Sequence, residues 1–271
     1  MLRDGHIHTS YCPHGSNDSL DRYIERALEL GFSELTFTEH APLPDNFVDP
    51  APERDSAMRK RDLDLYLKEV ERVKKQYASS MAIHTGLEID FISGFEKETT
   101  QFLSEYGSYL DDAILSVHFL PVNGQFVCID FSEEEFGRII KEAGSVEFVY
   151  ELYYDTVLKS VEANLGAFKP TRIGHMTLVH KFQHMFPCTK SFDLQIHHLL
   201  QAVKQANYSL DYNGAGFVKP LCRETYPPLD VARAAHALGI PLIYGSDAHA
   251  AAGIGQGLDQ IDRTIIIEGS V

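Results

Sequence analysis

Short strand-like runs alternate with stretches of helical spacing along most of this 271-residue chain. The strand-like runs lie at residues 3–8, 35–38, 81–87, 113–117, 171–174, 208–212 and 241–246. Apolar residues at helical spacing predict helices at residues 20–30, 61–77, 95–106, 133–143, 146–165, 192–207 and 227–238. Because strands that alternate with helices usually pair in parallel, this order predicts an α/β fold around a parallel sheet.

Seven predicted strands favour an irregular barrel over an open sheet. A β/α barrel commonly has about 250 residues, so we expect residues 1–271 to form one domain. The dipeptide Asn123-Gly124 lies between two short apolar segments and predicts a β-hairpin. Residues 41–60 carry four prolines and no periodicity, and we interpret them either as a lid over a site or as a surface excursion.

Side chains that bind metal ions follow nearly every predicted strand. They are His6, His8, Glu39, His40, Glu88, His118, His175, Asp247 and His249, with His14 in the loop after the first strand. The C-terminal ends of the strands in a β/α barrel converge on one face, where active sites are built. We therefore expect these side chains to meet in one pocket that holds metal ions.

Spacing within the motifs indicates which side chains are ligands. His6 and His8 are alternate residues of a strand, so both point to the same side. Glu39 and His40 are neighbours that point to opposite sides, and we favour His40 as the ligand, with Glu39 holding an imidazole in its ligating tautomer. A buried carboxylate needs a partner or a metal ion, which makes Glu88 the best bridging ligand.

The number and type of these ligands limit the cofactor. Seven histidines and two carboxylates are too many for one ion with about four to six ligands. We therefore expect two or three divalent transition-metal ions. Imidazole and carboxylate ligands suit zinc, iron or manganese, and ligand type does not choose among the three. Cys12 lies within the first histidine cluster, where we expect it to be a packed free thiol.

Composition narrows the setting of the protein. A formal net charge of −15 disfavours a nucleic-acid surface, which needs a basic stripe. No apolar run approaches the roughly 18 residues of a membrane span, and a motif begins at residue 4, so we expect no membrane segment and no signal peptide. The four cysteines form no CxxC pair, which favours a reduced, cytoplasmic setting. Nothing in the pattern fixes an oligomeric state.

The order of these motifs resembles that of the polymerase and histidinol phosphatase (PHP) superfamily. The matching motifs are Asp4-x-His6-x-His8, Glu39-His40, Gly86-Leu87-Glu88, Ser116-Val117-His118, Ile173-Gly174-His175 and Ser246-Asp247-Ala248-His249. Residues 37–44, 86–91, 212–216 and 224–227 look similar to its histidinol-phosphate phosphatase branch. The resemblance extends over residues 4–249, which is nearly the whole chain.

The resemblance implies a distorted (β/α)7 barrel, similar to a TIM barrel, with two or three bound metal ions. Carried over to matching positions, the ligands of the first ion would be His6, His8, Glu88 and Asp247. Those of the second would be Glu88, His118 and His175, and those of the third His14, His40 and His249. The resemblance also implies hydrolysis of L-histidinol phosphate to L-histidinol in histidine biosynthesis, so the expected partner is that small phosphorylated substrate.

Charge and position suggest roles for other side chains. The leaving alkoxide needs a proton, for which Asp247 and His249 are the candidates, with Glu39 or Asp4 behind them. Asn213 lies at the end of the sixth predicted strand and is a candidate hydrogen-bonding contact to the substrate. The candidate phosphate-binding cations are Arg172, Lys181, Lys219 and Arg223. A surface position is the competing interpretation for each of these four.

The sequence leaves other functions open. A phosphatase for a nucleotide, a sugar phosphate or a phosphotyrosyl peptide would use the same metal ligands with different pocket walls. A nuclease is disfavoured by the acidic charge. A non-catalytic metal-binding module would hold the ions without turnover. A deaminase or amidase of a related metal-dependent barrel would share the first HxH motif. The additional residues His14, His40 and His249 fit a third metal ion better than they fit this alternative.

Overall fold

The computed structural model describes residues 2–267 and contains a seven-stranded parallel sheet. The strands in chain order are β1 (Leu2–Ile7), β2 (Phe32–His40), β3 (Ala82–Asp90), β4 (Asp112–Ser116), β5 (Phe119–Val122), β6 (Gln125–Cys128), β7 (Arg172–Ile173), β8 (Ser209–Asn213) and β9 (Leu242–Gly245). All except β5 and β6 belong to this sheet, in the order β1-β2-β3-β4-β7-β8-β9. The predicted α/β fold is confirmed.

Helices connect the strands of the sheet and cover its outside. Over residues 2–267 they are α1 (Leu20–Glu29), α2 (Leu63–Gln76), α3 (Glu96–Tyr106), α4 (Glu133–Ala143), α5 (Val146–Glu162), α6 (Asp193–Gln205), α7 (Ala215–Val218) and α8 (Leu229–Ala237). Ser19, Ser132 and Ser145 cap α1, α4 and α5, each accepting a hydrogen bond from a backbone N–H of the first turn. The four-residue helix α7 was not predicted, because it is too short to show a helical period.

The sheet curls until its first and last strands nearly meet. The backbone N–H of His8 donates to the carbonyl of Ala248 at 3.0 Å, and that of Asp247 donates to the carbonyl of His6 at 2.7 Å. Ile7 and Ala248 form a parallel bridge at the same place. The result is a nearly closed, TIM-like barrel of seven strands, whose C-terminal strand ends share one face.

Two strands continue further than the apolar pattern predicts. β2 reaches His40 and β3 reaches Asp90, with His40 paired to Glu88 across the ladder. Glu39, His40 and Glu88 therefore lie within strands rather than after them. The apolar pattern ends where the side chains begin to face the pocket, while the backbone pairing continues.

Near its C-terminal end, β1 contains one residue more than the part of β2 that it pairs with. Between Asp4 and Ile7, three steps along β1 correspond to two steps along β2. Such a bulge bends a strand and re-aims its side chains, and bulges are common beside active sites. This one lies at His6, directly before His8, and both of these side chains are fully buried.

The predicted hairpin is present as β5 and β6, which pair in antiparallel fashion. Its turn residues Asn123 and Gly124 have φ angles of 48° and 80°, the left-handed conformation that asparagine and glycine adopt most readily. The hairpin follows β4 directly and supplies part of the wall above the C-terminal face of the barrel.

Residues 41–60 pack against this hairpin. The ring of Phe47 lies 5.0 Å from that of Phe119 and 5.1 Å from that of Phe126, centroid to centroid, in edge-to-face geometry. Further along, Asp55 and Ser56 reach the central cavity of the barrel face. The segment therefore has an apolar anchor at one end and contributes to the cavity wall at the other.

Two other expectations concern the setting of the chain. Within residues 2–267 no helix combines the length and the apolar character that a membrane crossing requires. Cys12, Cys128, Cys188 and Cys222 are all free thiols, in agreement with their wide spacing along the sequence.

Candidate metal centre

The C-terminal ends of the strands bring the nine predicted metal ligands together. Those that line one cavity are His14, His40, Glu88, His118, His175, Asp247 and His249. His6 and His8 lie under this cavity and are fully buried. Ligand atoms within 4.8 Å of one another form three main sets, which are His6, His8 and Asp247; Glu88, His118 and His175; and Cys12, His14, His40 and His249.

His6 and His8 direct their Nε2 atoms at one another across 3.1 Å. On the far side of each ring, Nδ1 of His6 lies 2.8 Å from the Asp211 carboxylate, and Nδ1 of His8 lies 3.4 Å from the Glu39 carboxylate. A carboxylate at Nδ1 places the ring proton there and leaves a lone pair on Nε2. Two lone pairs at this distance repel each other unless a cation lies beside them, so this geometry fits a metal ion.

Glu88 lies in the middle of the cluster and is only 1% exposed. Its Oε2 lies between 3.0 and 3.5 Å from ring nitrogens of His6, His8 and His40, without a hydrogen bond to any of them. Its Oε1 lies 2.9 Å from Nε2 of His175. A buried carboxylate with imidazoles at both oxygens is well placed to bridge two cations.

Electrostatics at the centre favour a positive charge among the imidazoles. Burial opposes ionisation of Glu88, but the surrounding histidines, His6 foremost, hold the pKa of this carboxyl well below its usual range. Burial likewise opposes protonation of His8, yet hydrogen bonds with Asp247 and Glu39 raise its pKa to about 9. The carboxylates therefore stabilise a cation at this point, whether a metal ion or a proton carries the charge.

Asp247 completes the first set from the end of β9. Its Oδ1 lies 3.2 Å from Nε2 of His8. Its φ angle of 53° is left-handed, which is uncommon for a residue other than glycine. The hydrogen bond from its N–H to the carbonyl of His6 holds this conformation. Backbone strain of this kind is concentrated at functional sites, and here it directs a carboxylate toward two imidazoles.

His118 and His175 form the second set with Glu88. Their ring centroids lie 5.0 Å apart. Nδ1 of His118 lies 2.8 Å from the Asp90 carboxylate, which turns Nε2 toward Glu88 at 3.9 Å. Ser116 donates a hydrogen bond of 2.6 Å to Oε1 of Glu88 and fixes that carboxylate. These three side chains fit a second ion that shares Glu88 with the first.

The third set surrounds the mouth of the cavity. The ring centroids of His14, His40 and His249 are 5.0 to 5.8 Å apart. Nδ1 of His14 donates a hydrogen bond to the carbonyl of Asp55 at 2.9 Å, and Nδ1 of His249 donates one to the carbonyl of Asp247 at 3.1 Å. The lone pair on Nε2 of each ring is then free to bind a metal ion. Burial and a neighbouring imidazole lower the pKa of His40, and that of His249 further, so both are neutral as ligands must be.

Two carboxylates that orient ligands were not predicted. Asp211 and Asp90 hold the outer ring nitrogens described above. Asp90 lies two residues after Glu88 and Asp211 two residues before Asn213, so each shares a strand face with a side chain that was singled out. An acidic residue two positions from a candidate site residue on the same strand points to the same face. This signal was sufficient to identify both carboxylates.

Two of the predicted substrate contacts, Lys181 and Lys219, line the cavity. Nζ of Lys181 lies 3.0 Å from the Asp130 carboxylate and donates to the carbonyl of the same residue. Asp130 also lines the cavity and was not predicted. Burial opposes its ionisation, but Lys181 holds the pKa of Asp130 well below its usual range, so the pair is fully charged.

Two predicted phosphate-binding arginines lie elsewhere. Arg172 is wrongly predicted, because its side chain is only 1% exposed and lies inside the barrel, where Nη2 is 2.7 Å from the Asp112 carboxylate. Its position on a strand end suggested the site, but the side chain points into the barrel interior below the ligands. Arg223 is exposed, donates from Nε to the carbonyl of Pro220, and is not among the described residues that line the cavity.

The remaining predicted residues lie beneath the cavity. Asn213 is fully buried and donates to the carboxylates of Asp211 at 3.0 Å and Asp247 at 3.3 Å, so it contacts the ligand shell. Asp4 accepts the N–H of Ser246 at 2.8 Å and is also fully buried, as is Glu39. Of the four residues considered for proton transfer, the two that line the cavity are Asp247 and His249.

Comparison with family models identifies two adjoining regions. A model of the PHP domain matches residues 4–215, and a model described as PHP-associated matches residues 230–268. The histidinol-phosphatase of Bacillus subtilis (strain 168) is 47% identical over 255 residues, which cover 93% of this chain and 95% of that protein.

Solved structures show the same architecture. A protein from Listeria monocytogenes, described as a candidate histidinol phosphatase, has a TM-score of 0.91 and 42% identity, and the match covers 95% of this chain and 99% of that one. The histidinol phosphate phosphatase of Lactococcus lactis, solved with zinc, L-histidinol and phosphate, has a TM-score of 0.73 and 21% identity over 98% of this chain and 95% of that one. At that lower identity the second comparison shows a shared fold.

Proposed function

This chain belongs to the PHP domain family, and we propose that it hydrolyses L-histidinol phosphate to L-histidinol and phosphate in histidine biosynthesis. The observation that carries the proposal is the buried Glu88 carboxylate, with imidazoles at both oxygens and an open cavity above it. This arrangement suits two adjacent cations, which is the requirement of metal-assisted phosphoester hydrolysis. The Bacillus subtilis relative supports the choice of substrate.

We propose two or three divalent transition-metal ions, with zinc, iron and manganese as the fitting types. Such ions lower the pKa of a bound water, hold phosphate oxygens and neutralise charge as the phosphorus–oxygen bond breaks. His6, His8, Glu88 and Asp247 would hold the first ion. Glu88, His118 and His175 would hold the second, and His14, His40 and His249 the third.

Asp247 is the best placed residue to handle protons during the reaction. It lines the cavity and has one oxygen near His8 and the other near Asn213. A carboxylate in this position accepts a proton from the attacking water and returns it to the leaving alkoxide. His249 lies beside it, with Nδ1 3.6 Å from Oδ1 of Asp247, and supports the same transfer.

The Lys181–Asp130 ion pair in the cavity wall, together with Lys219, would recognise the charged groups of the substrate. L-histidinol phosphate carries a phosphate, an ammonium and an imidazole. Lys181 and Lys219 supply cations for the phosphate, and Asp130 supplies a carboxylate for the ammonium. Because Lys181 and Asp130 already pair at 3.0 Å, a substrate with both charges replaces their contact without leaving either charge unpaired.

We also propose that residues 1–271 form one domain, that the protein is cytoplasmic and that residues 41–60 form a lid. Strand β9, within the PHP-associated match, pairs with β8, within the PHP match, which supports a single domain. The four free thiols and the biosynthetic relative support a cytoplasmic location. Asp55 and Ser56 lie in the cavity wall, which favours interpreting residues 41–60 as a lid rather than as a surface excursion.

A panel of phosphomonoesters tests the function. Protein loaded with zinc, iron or manganese should give its highest kcat/KM with L-histidinol phosphate, ahead of p-nitrophenyl phosphate, a nucleotide, a sugar phosphate and a phosphotyrosyl peptide. We expect a margin of at least about tenfold, equal to about 1.4 kcal/mol of transition-state binding. A nucleotide or sugar phosphate as best substrate would remove the histidine-pathway assignment. Full metal content without turnover of any phosphoester would favour a non-catalytic module.

A further inference from the structure

The third ligand set contains a side chain that the proposed function does not use. The sulfur of Cys12 lies within 4.8 Å of donor nitrogens of His14, His40 and His249, which are equally close to one another. The residue is only 3% exposed, so the sulfur is shielded from solvent. We infer that Cys12 is a fourth protein ligand of the third ion, so that one thiolate and three imidazoles form a site selective for softer divalent cations.

A tight turn of the chain directs Cys12 and His14 to the same point. The N–H of Cys12 donates to the carbonyl of Thr9 at 3.0 Å, and the N–H of Gly15 donates to the carbonyl of Cys12 at 3.1 Å. A Cβ at Gly15 would lie 3.0 Å from the carbonyl oxygen of Thr9 and 3.2 Å from Cβ of Cys12, so a larger residue would crowd the turn.

Two of the three imidazoles of this set are oriented by hydrogen bonds to the backbone. Backbone carbonyls hold Nδ1 of His14 and of His249, at 2.9 and 3.1 Å respectively. The Nε2 atoms of both rings are left as the donor atoms of the set. Outer hydrogen bonds of this kind fix the tautomer and direction of metal-ligating histidines. Cys12 is therefore a member of a group of four donors, two of which are oriented by the backbone, and not an isolated thiol.

The chemistry of the four donors sets the type of ion. In a tetrahedral zinc site with sulfur at about 2.3 Å and nitrogen at about 2.0–2.1 Å, the donors lie roughly 3.3–3.6 Å apart. The set therefore needs to contract by about 1.5 Å at most. A thiolate ligand favours Zn²⁺, Co²⁺ and Cd²⁺ over Mn²⁺ and Mg²⁺. On binding, the thiol releases its proton to solvent and the sulfur–metal bond forms.

This inference rests on the proposed function for the three histidine ligands and adds the sulfur and its selectivity. The first two sets offer imidazole and carboxylate donors alone, which accept manganese or iron as readily as zinc. The third metal site therefore differs from the first two in having a sulfur donor. Zinc also expands to five ligands, which leaves room for a substrate oxygen at a site with four protein donors.

Cobalt substitution tests the assignment directly, because a thiolate bound to Co²⁺ gives a charge-transfer absorption in the near ultraviolet. The full chain is titrated with Co²⁺ as wild type, as Cys12→Ser and as Cys128→Ser. Cys128 is the control, since it is also buried and lines the central cavity, but belongs to none of the ligand sets found within residues 2–267. Equilibrium dialysis against Co²⁺ and Mn²⁺ gives the number of ions bound.

We expect the absorption to appear with the third equivalent of Co²⁺ in wild type and in Cys128→Ser. Cys12→Ser should lose it and bind the third equivalent at least about tenfold more weakly, as loss of a ligand implies, while two equivalents bind as before. Wild type that lacks the absorption at saturation, or that binds two equivalents only, overturns the inference even if the variant fails to fold. Turnover of L-histidinol phosphate by the same samples tests the proposed function separately.

Discussion

Individual side chains in this centre act in pairs of an inner donor and an outer partner. The pairs are His6 with Asp211, His8 with Glu39, His118 with Asp90, His14 with the Asp55 carbonyl and His249 with the Asp247 carbonyl. The outer partner holds the ring proton on one nitrogen, so the other nitrogen carries the lone pair that a metal ion needs. Each of these five histidines is thus oriented by a second residue, and substitution of either one has a separate, measurable effect.

Glu88→Ala should remove most metal binding and nearly all activity. The carboxylate contacts His40 and His175, which belong to different ligand sets. Without its negative charge, the ring nitrogens within each set repel one another and no longer hold an ion. We expect activity to fall by more than about 100-fold, beyond the range seen for outer partners of metal ligands. Elemental analysis should show the loss of ions. The exposed helix residue His197 is the control, and equal activity of Glu88→Ala and His197→Ala would contradict the bridging assignment.

Asp211→Asn tests the outer partners with a nearly isosteric change. The amide no longer supplies a charged acceptor to Nδ1 of His6, whose distance to the carboxylate is 2.8 Å. Metal affinity or activity should drop by about 10–100-fold, the usual effect of such a loss. A competition titration with a chelator measures the affinity. Arg3→Met is a useful comparison, because Arg3 is also buried but pairs with Asp112, away from the ligands. Similar metal affinity in the two variants would count against the role given to Asp211.

At the scale of elements, the sequence predicts the strands and helices well and their ends less well. Every strand of the barrel and all helices except α7 follow from apolar spacing. The ends of β2 and β3 do not, because His40 and Asp90 are polar and the pattern treats them as loop. The same polar residues are what makes these strand ends functional. Residue types therefore indicated a candidate site at these strand ends, although the apolar pattern ended both strands too early.

Residues 41–60 and the β5–β6 hairpin act as one layer over the face of the barrel. Phe47 is the anchor, so Phe47→Ala should loosen the segment and weaken the contact between Asp55 and His14. We expect faster proteolysis within 41–60 and a higher KM. The global loss of stability should be smaller than the roughly 3–5 kcal/mol of a central Phe→Ala change.

Val48→Ala provides the control for this prediction, since Val48 is the next residue and is 70% exposed. Limited proteolysis followed by mass spectrometry locates the cleavage sites in both variants. Unchanged proteolysis of Phe47→Ala would show that the segment is held by contacts other than the aromatic cluster.

At the scale of the whole molecule, the centre exists because β1 and β9 meet. His6 and His8 come from the start of the chain and Asp247 from near its end, and backbone hydrogen bonds join the two. Sequence patterns predicted that strand ends converge, but not which outer carboxylate meets which ring. Those pairings depend on the bulge in β1 and on side chains up to 205 residues apart. Arg172 was misplaced for the same reason, because its position along the strand did not reveal that it points into the barrel.

The charge of the centre links metal binding to the stability of the whole fold. Burial opposes protonation of His8 and His118, but Asp247 and Glu39 raise the pKa of His8 to about 9, and Asp90 raises that of His118 to about 10. A histidine whose pKa is raised in the folded state stabilises the fold. This stabilisation is fully present at pH values below the pKa of the unfolded state, near 6.5. This stabilisation is lost as the pH rises through about 9 to 10. Without metal, protons thus act as the cations of the site.

Metal-loaded and metal-free protein should therefore respond to pH in opposite ways. Metal binding needs neutral imidazoles, so its contribution grows as the pH rises. At a free metal concentration of about 100 Kd this contribution is about 2.7 kcal/mol per ion. We expect the Tm of chelator-treated protein to fall from about pH 6.5 to about pH 9.5, and the difference from loaded protein to widen over the same range. Calorimetry of both forms across this range measures the difference. A constant difference would mean that protons and metal ions do not compete for these histidines, and the ligand assignment would then have to be abandoned.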